Sequence, residues 1–275
     1  GRQRRLNSVG ESVLQIAPSA AAAYSLRSLT GGDPKVVRVR RDTGGGAGDN
    51  DEEDFTASGI SSGALVDFVG SGNDGFVDTW YDQSGNSNDA EQATASRQPK
   101  IVNSGSLVTD ANGHPELDFS SDFLSKTAFT QGDLEQPNTT FTVAKLNTND
   151  DSNRKLYDGT VGAKRNMLFL GTVGSGQFGL YSQVIIYTGE TATNDKHLFS
   201  GLHNGASSEL FINSVSKASG NTGAYAMSGI NIAKNHSGET NFWSGQIQEL
   251  IVYNSNQSSN RVAIETNINS HYSIF

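Results

Sequence analysis

Cysteine is absent from the 275 residues, which excludes a disulfide framework, a thiolate metal site and a cysteine nucleophile. Proline occurs only five times, and no run approaches the roughly 20 consecutive apolar residues of a membrane-spanning helix. Charge of positive sign is scarce: the formal net charge is -9, so the chain lacks the basic field that nucleic-acid binding requires. What remains is rich in Gly, Ser, Asn, Asp and Thr, with 18% charged residues, a composition suited to short strands joined by many turns. A chain of this length buries roughly three-quarters of its unfolded surface when it folds as one domain, and needs no staples.

The order of elements follows from local pattern. Residues 1–17 read as an arm: Arg2, Arg4 and Arg5 are followed by a sparse apolar set beginning at Leu6. No apolar signal segment is seen at the start. Pro18, the alanines at 20–23 and the closing Gly31-Gly32 predict a helix over 18–29. Val36 to Arg41 alternates apolar and basic residues and predicts a strand with one charged face, whereas 42–54 reads as a Gly- and acid-rich loop. Its acids Asp51 to Asp54 lack the spacing of a calcium loop and read as a solvated charge run. A short helix over 61–70 and a strand over 76–81 follow. Beyond residue 116 the strands predicted are 116–119, 139–146, 166–170, 177–188, 196–203, 209–213, 229–234 and 246–253. The apolar residues of Thr140 to Leu146 fall at every second position, as in a half-buried antiparallel strand. A packed helix over 258–272 ends the chain. The fold expected is an all-β antiparallel sandwich with a few short helices, in one domain over 18–275 preceded by the arm.

Four stretches in the first hundred residues carry a resemblance: Ala23-Tyr24-Ser25-Leu26-Arg27, Val37 to Arg41, Thr79-Trp80-Tyr81-Asp82-Gln83-Ser84-Gly85-Asn86, and Gln98 to Val102. Together they resemble the front of the catalytic domain of the arabinofuranosidase B family, where a Tyr-Asp-Gln-Ser-Gly-Asn core is a hallmark. Trp243 to Tyr253 and the helix after it resemble the closing strand and helix of laminin-G-like and concanavalin A-like modules. The resemblance implies a concanavalin A-like jelly roll. The front block is also similar to that of surface proteins of marine tailed phages, which carry a short basic arm ahead of an Ala-Ala-Tyr-Ser-Leu-Arg segment.

The arabinofuranosidase resemblance implies glycoside hydrolysis, which needs two carboxyl groups about 5–5.5 Å apart for a retaining mechanism. In that family the nucleophile is a Glu in a mid-domain strand, and the matching stretch here, Leu180-Tyr181-Ser182-Gln183-Val184, carries no carboxylate. The family's acid is an Asp before the closing strand, and the matching stretch, Ala233-Lys234-Asn235-His236-Ser237, has none either. A slip in the middle of the comparison leaves Glu190 and Asp195 as carboxylates to locate. No catalytic residue is therefore assigned. His197 and His203 sit at even spacing on one predicted strand, but no His-Glu-x-x-His helix accompanies them, and no metal is expected. Gly44 to Gly48 lacks the Lys-Ser/Thr of a phosphate loop, and no cofactor is expected.

The candidate ligand-binding residues are Trp243 and Phe242, as an aromatic platform for a sugar ring, with Asp82, Asn86 and Asn88, whose short side chains serve equally to close a tight turn. The sequence expectation for function is a non-catalytic virion component displayed on the particle surface. Its arm (Arg2, Arg4, Arg5, Leu6) would anchor it to a capsid or tail protein, and the displayed domain would bind cell-surface glycans. A carbohydrate-binding module and an arabinofuranosidase-like hydrolase are the alternatives, and homo-oligomerisation is a further expectation.

Overall fold

A computed structural model describes residues 10–150, 152–172 and 176–275. The arm residues Arg2, Arg4, Arg5 and Leu6 lie outside them. Among the described residues the first third of the chain forms α1 (Val13–Ile16), β1 (Ala22–Ser25), β2 (Lys35–Asp42), β3 (Glu52–Thr56), α2 (Ala57–Ser61), α3 (Ala64–Val69) and β4 (Asp74–Trp80). Short strands follow: β5 (Ala90–Glu91), β6 (Lys100–Asn103), β7 (Ser106–Leu107), β8 (Leu117–Phe119) and β9 (Leu124–Lys126). The middle contributes β10 (Asn138–Leu146), β11 (Arg154–Asp158), β12 (Met167–Gly171), β13 (Gln177–Tyr181) and β14 (Ile185–Tyr187). The last part holds β15 (Lys196–His203), β16 (Ser208–Ile212), β17 (Val215–Gly220), β18 (Ile230–Ile232), β19 (Gly245–Tyr253) and α4 (Arg261–Tyr272).

These strands form two layers. One runs β1-β19-β10-β15-β16-β17. The other runs β3-β2-β4-β5-β9-β18-β11-β12-β13-β14. Strand β8 pairs with both β19 and β6 and joins the layers at one side. Every pairing between these strands is antiparallel, so the chain is a concanavalin A-like antiparallel β-sandwich, as its sequence predicts. The main core lies between the layers, with Leu250 and Val252 from one meeting Leu168, Leu170 and Leu180 from the other. A second core lies on the outer side of the first layer. There Phe141, Val143, Leu198, Ile251 and Tyr253 meet Ile264, Ile268 and Tyr272 of α4 and Val13 of α1. Strand β10 is therefore buried on both faces.

Several local expectations are corrected. The segment 18–29 is no helix: Ala22–Ser25 is β1, which pairs with Leu250, Ile251 and Val252 of β19. Alanine favours helix by only ~1 kcal/mol or less per residue, which burial in the sheet outweighs. The second half of the acidic loop is strand β3, and its register explains the basic face of β2: Arg38 lies opposite Asp54 and donates to it at 2.8 Å. Residues 177–188 form two strands rather than one. Residues 13–17 of the arm pack on the body, with Val13 fully buried.

The Tyr-Ser-Leu-Arg segment is tied to the far end of the chain. Arg27 donates to both oxygens of Glu249, at 2.8 and 3.1 Å, and the hydroxyls of Ser25 and Tyr272 donate to the same carboxylate. Glu249 is fully buried. Removing one partner of a buried ion pair typically costs ~3–5 kcal/mol, whereas replacing both by apolar groups is often near neutral. We expect Glu249→Ala to lose about that much stability in urea unfolding, and the double variant Arg27→Met/Glu249→Met to recover most of it.

Candidate binding cleft

Among the described residues, the outer face of the second layer, unlike that of the first, has no helix packed across β11–β14. The period-2 alternation of strands decides what it presents. Leu168, Leu170, Phe178 and Leu180 point into the core. The opposite face shows a cross-strand row in register: Lys155, Phe169, Gly179 and Tyr187. A second row holds Met167, Tyr181 and Ile185. Arg165 and the 235–241 loop, with Asn235, His236 and Asn241, wall the resulting cleft, whose volume is about 380 Å³.

Two glycines shape its floor. A Cβ on Gly179 would lie 2.9 Å from the Phe169 ring and 3.1 Å from that of Tyr187, and one on Gly171 would lie 2.8 Å from Tyr187. The missing side chains let the two rings meet edge to face across β13, with centroids 5.8 Å apart. Lys155 Nζ sits 4.4 Å above the Phe169 ring, and the Arg165 guanidinium is 5.0 Å from the Tyr181 ring.

The electrostatics are set by one buried carboxylate behind the wall. Asp158 accepts two hydrogen bonds from Arg165, at 2.8 and 2.5 Å. It also accepts from the backbone N–H groups of Gly159 and His236, at 2.8 and 2.9 Å. Burial raises its pKa, against the pull of Arg165. Lys155 is pushed down to about 8 by burial. His236 is held below its ordinary value, first by burial and then by the charge of Arg165. No Asp or Glu is among the described residues lining the cleft.

Tyr181, from the stretch matching the family's nucleophile, and Asn235 and His236, from the stretch matching its acid, line this same cleft. The other two carboxylates that sequence comparison left to locate are elsewhere. Glu190 and Asp195 line a separate depression of about 340 Å³. There Glu190 is paired with Lys217 at 2.7 Å and Asp195 accepts from Thr193 Oγ1 at 2.8 Å.

The binding residues proposed from sequence do not gather in the cleft. Trp243 is fully buried, with its Nε1 donating to the Lys145 carbonyl, so it is a core residue and no platform. Phe242 is half-buried between Phe123 and Arg97. Asp82 accepts from the backbone of Ala23, Ser84 and Asn88. Asn86 donates to Ala20 O, and the buried Asn88 donates to Ala21 O and Gln131 Oε1. The Asp, Gln and Asn side chains of the Tyr-Asp-Gln-Ser-Gly-Asn motif thus bond the 20–29 segment to the 82–88 loop, while Tyr81 donates to Asp54. His197 and His203 both lie on β15, but His203 is fully buried and pushed down to about 4 by burial.

Lys155, Arg165, Phe169 and Tyr187 were not anticipated. A signal was present in Phe169, Gly171 and Gly179, a ring and two glycines at alternate strand positions, as expected where side chains pack across a sheet surface.

No protein-family model matches the sequence, nor does any curated protein. Solved structures do match the fold. An arabinofuranosidase complexed with arabinofuranosyl-α-1,2-xylobiose superposes with a TM-score of 0.62 at 14% identity, covering 93% of this chain and 64% of that one. A GH54 α-L-arabinofuranosidase soaked with a cyclic sulfate inhibitor superposes with a TM-score of 0.64 at 13% identity and the same coverage. The chain therefore spans about 64% of the length of each enzyme. At such identity the likeness is one of fold, and the fold is that of a sandwich of the kind found in carbohydrate-active enzymes. This corrects the expectation of a virion component: the matched structures are glycoside hydrolases, not capsid or tail proteins.

Overpacking a close contact of this kind costs ~1–3 kcal/mol. Gly179→Val is expected to lower stability by about that amount, read by chemical denaturation, because its side chain must displace the Phe169 or Tyr187 ring.

Proposed function

We propose that the chain is a carbohydrate-binding sandwich domain that holds a saccharide in the β11–β14 cleft without hydrolysing it. The observation that carries this reading is the cleft's composition. The half-buried rings of Tyr181 and Tyr187, the latter backed by the buried Phe169, lie beside convergent polar groups from Asn153, Asn235 and Asn241. Such a site is made for a sugar: ring faces pack on the apolar C–H side, and amides bond the hydroxyls. The likeness of fold to arabinofuranosidases supports the substrate class. The absence of carboxylates from the described lining speaks against hydrolysis, because both retaining and inverting routes need an acid and a second carboxylate across the bond. Asp158 is one carboxylate, and Arg165 with two backbone N–H groups occupies both of its oxygens.

A glycan array followed by calorimetric titration tests the reading. Saccharide binding is expected, with Tyr187→Ala weakening it about tenfold, equivalent to ~1.4 kcal/mol, while the far-ultraviolet circular dichroism stays that of the parent. Release of nitrophenol from an aryl arabinofuranoside, lost in Asp158→Asn, would overturn the non-hydrolytic part. Saccharide binding that Tyr187→Ala leaves intact would overturn the choice of cleft.

A further inference from the structure

The cleft holds a buried ammonium that has no ion-pair partner among the described residues, Asp158 acting on it only from beyond contact. Three cationic or protonatable side chains line it, Lys155, Arg165 and His236. Arg165 is neutralised by its two bonds to Asp158. His236 is held below its ordinary pKa by burial and by the charge of Arg165, which disfavours its charged form. Lys155 differs from both. It is only 5% exposed, and among the described residues its ammonium has no carboxylate within ion-pair distance. Its neighbours are the neutral Asn153 Oδ1 at 2.5 Å and the face of Phe169. Buried ammonium groups are costly unless paired, and the ring face and one amide replace only part of the lost hydration.

We propose that the saccharide recognised in this cleft is acidic, its carboxylate or sulfate completing the coordination of Lys155 Nζ at the cleft floor. This rests on the reading of the cleft as a sugar site and narrows it to one class of ligand. The geometry fits that role. Lys155 and Tyr187 stand at opposite ends of one cross-strand row, with Phe169 and Gly179 between them. A sugar ring packed near Tyr187 therefore has room to direct an exocyclic anionic group along the row toward Lys155. The chain carries a net charge of -9, so the ammonium of Lys155 is a local departure from the protein's overall sign. A ligand anion would supply the partner that the fold withholds, and a charge-assisted bond of this kind is roughly twice as strong as a neutral one.

The test compares three sets of oligosaccharides of equal length by calorimetric titration: neutral hexose or pentose oligomers, uronic-acid oligomers, and sulfated oligomers. Tighter binding of an acidic set than of the neutral set, by tenfold or more, is expected, and which acidic set binds separates carboxylate from sulfate. Lys155→Met is expected to abolish that preference while leaving weak binding of neutral sugars. Lys155→Arg, which keeps the charge, is expected to retain the preference. Lys155→Met also removes a buried unpaired charge and is expected to keep or raise the melting temperature, which separates loss of recognition from loss of fold. The pH profile gives an independent readout. The titratable and charged groups around Lys155 are Asp158, Arg165, His236, Tyr181 and Tyr187. Burial holds His236 below its ordinary value and raises Tyr187 above its own. Lys155, at about 8, therefore loses its proton first as pH rises from 7 to 9, and affinity for acidic sugars should fall across that window. Equal binding of neutral and acidic sets, or an acidic preference that survives Lys155→Met, would overturn the inference and leave the sugar site standing. Binding of none of the three sets would overturn both.

Discussion

The buried carboxylate of Glu249 is the point on which the sandwich depends. It draws together the Ser25 hydroxyl at the end of β1, the Arg27 guanidinium just after it and a phenol from α4, at the closing strand β19. A register shift in β19 opposite Val143 and Ala144 sets this up. It lets Ile247 and Leu250 both face the main core while Glu249 keeps step with Ile251 and Tyr253 on the α4 side. Strand β1 has only four residues and pairs along one edge. Its other edge is held by Asp82 and Gln83, which exchange bonds with the Ala23 backbone at 2.8 Å. First and last elements are thereby locked into one layer, and contacts of such sequence separation make closure of the sandwich a late, cooperative event.

With α4 and α1 covering the first layer, the second layer supplies the open face, and two glycines determine its relief. Their absent side chains allow Phe169 and Tyr187 to lie across the strands. The same row carries Lys155, whose charge is kept from water and from any described carboxylate. Arg165 is paired with Asp158, so the wall is close to neutral while the floor holds a buried ammonium. Burying Lys155 without an ion-pair partner among the described residues costs stability, and such local costs are typical of functional sites.

The fold class was legible because alternation and turn composition are local properties. Thr140 to Leu146 marks the strand that β10 is, although α4 covers its outer side and it is buried on both faces rather than half-buried, and Trp243 to Tyr253 the run that β19 becomes. The misreadings have physical causes. The alanines at 20–23 have helix propensity, but their burial between β19 and the 82–88 loop is a tertiary fact. Ser182-Gln183-Val184 carries no Gly, Pro or Asn, so the β13–β14 turn leaves no compositional mark. Strand β11 was invisible because Asn153-Arg154-Lys155 reads as a solvated linker, yet it carries the lysine at the centre of the cleft. The hallmark motif around Asp82 was legible as a motif but not as a strut, since its partners lie on β1 some sixty residues earlier. The two stretches set against the arabinofuranosidase family's nucleophile and acid, Leu180–Val184 and Ala233–Ser237, were picked out from sequence. That these stretches share one cleft took the coordinates.

The second core has a geometric corollary. Val13 of α1 and Tyr272 of α4 meet on the outer side of the first layer, whereas the cleft opens on the outer side of the second. Both layers of the sandwich therefore stand between α1 and α4 on one face and the cleft on the other. Substitutions on the helical side and substitutions among the cleft side chains can each be made without touching the opposite face.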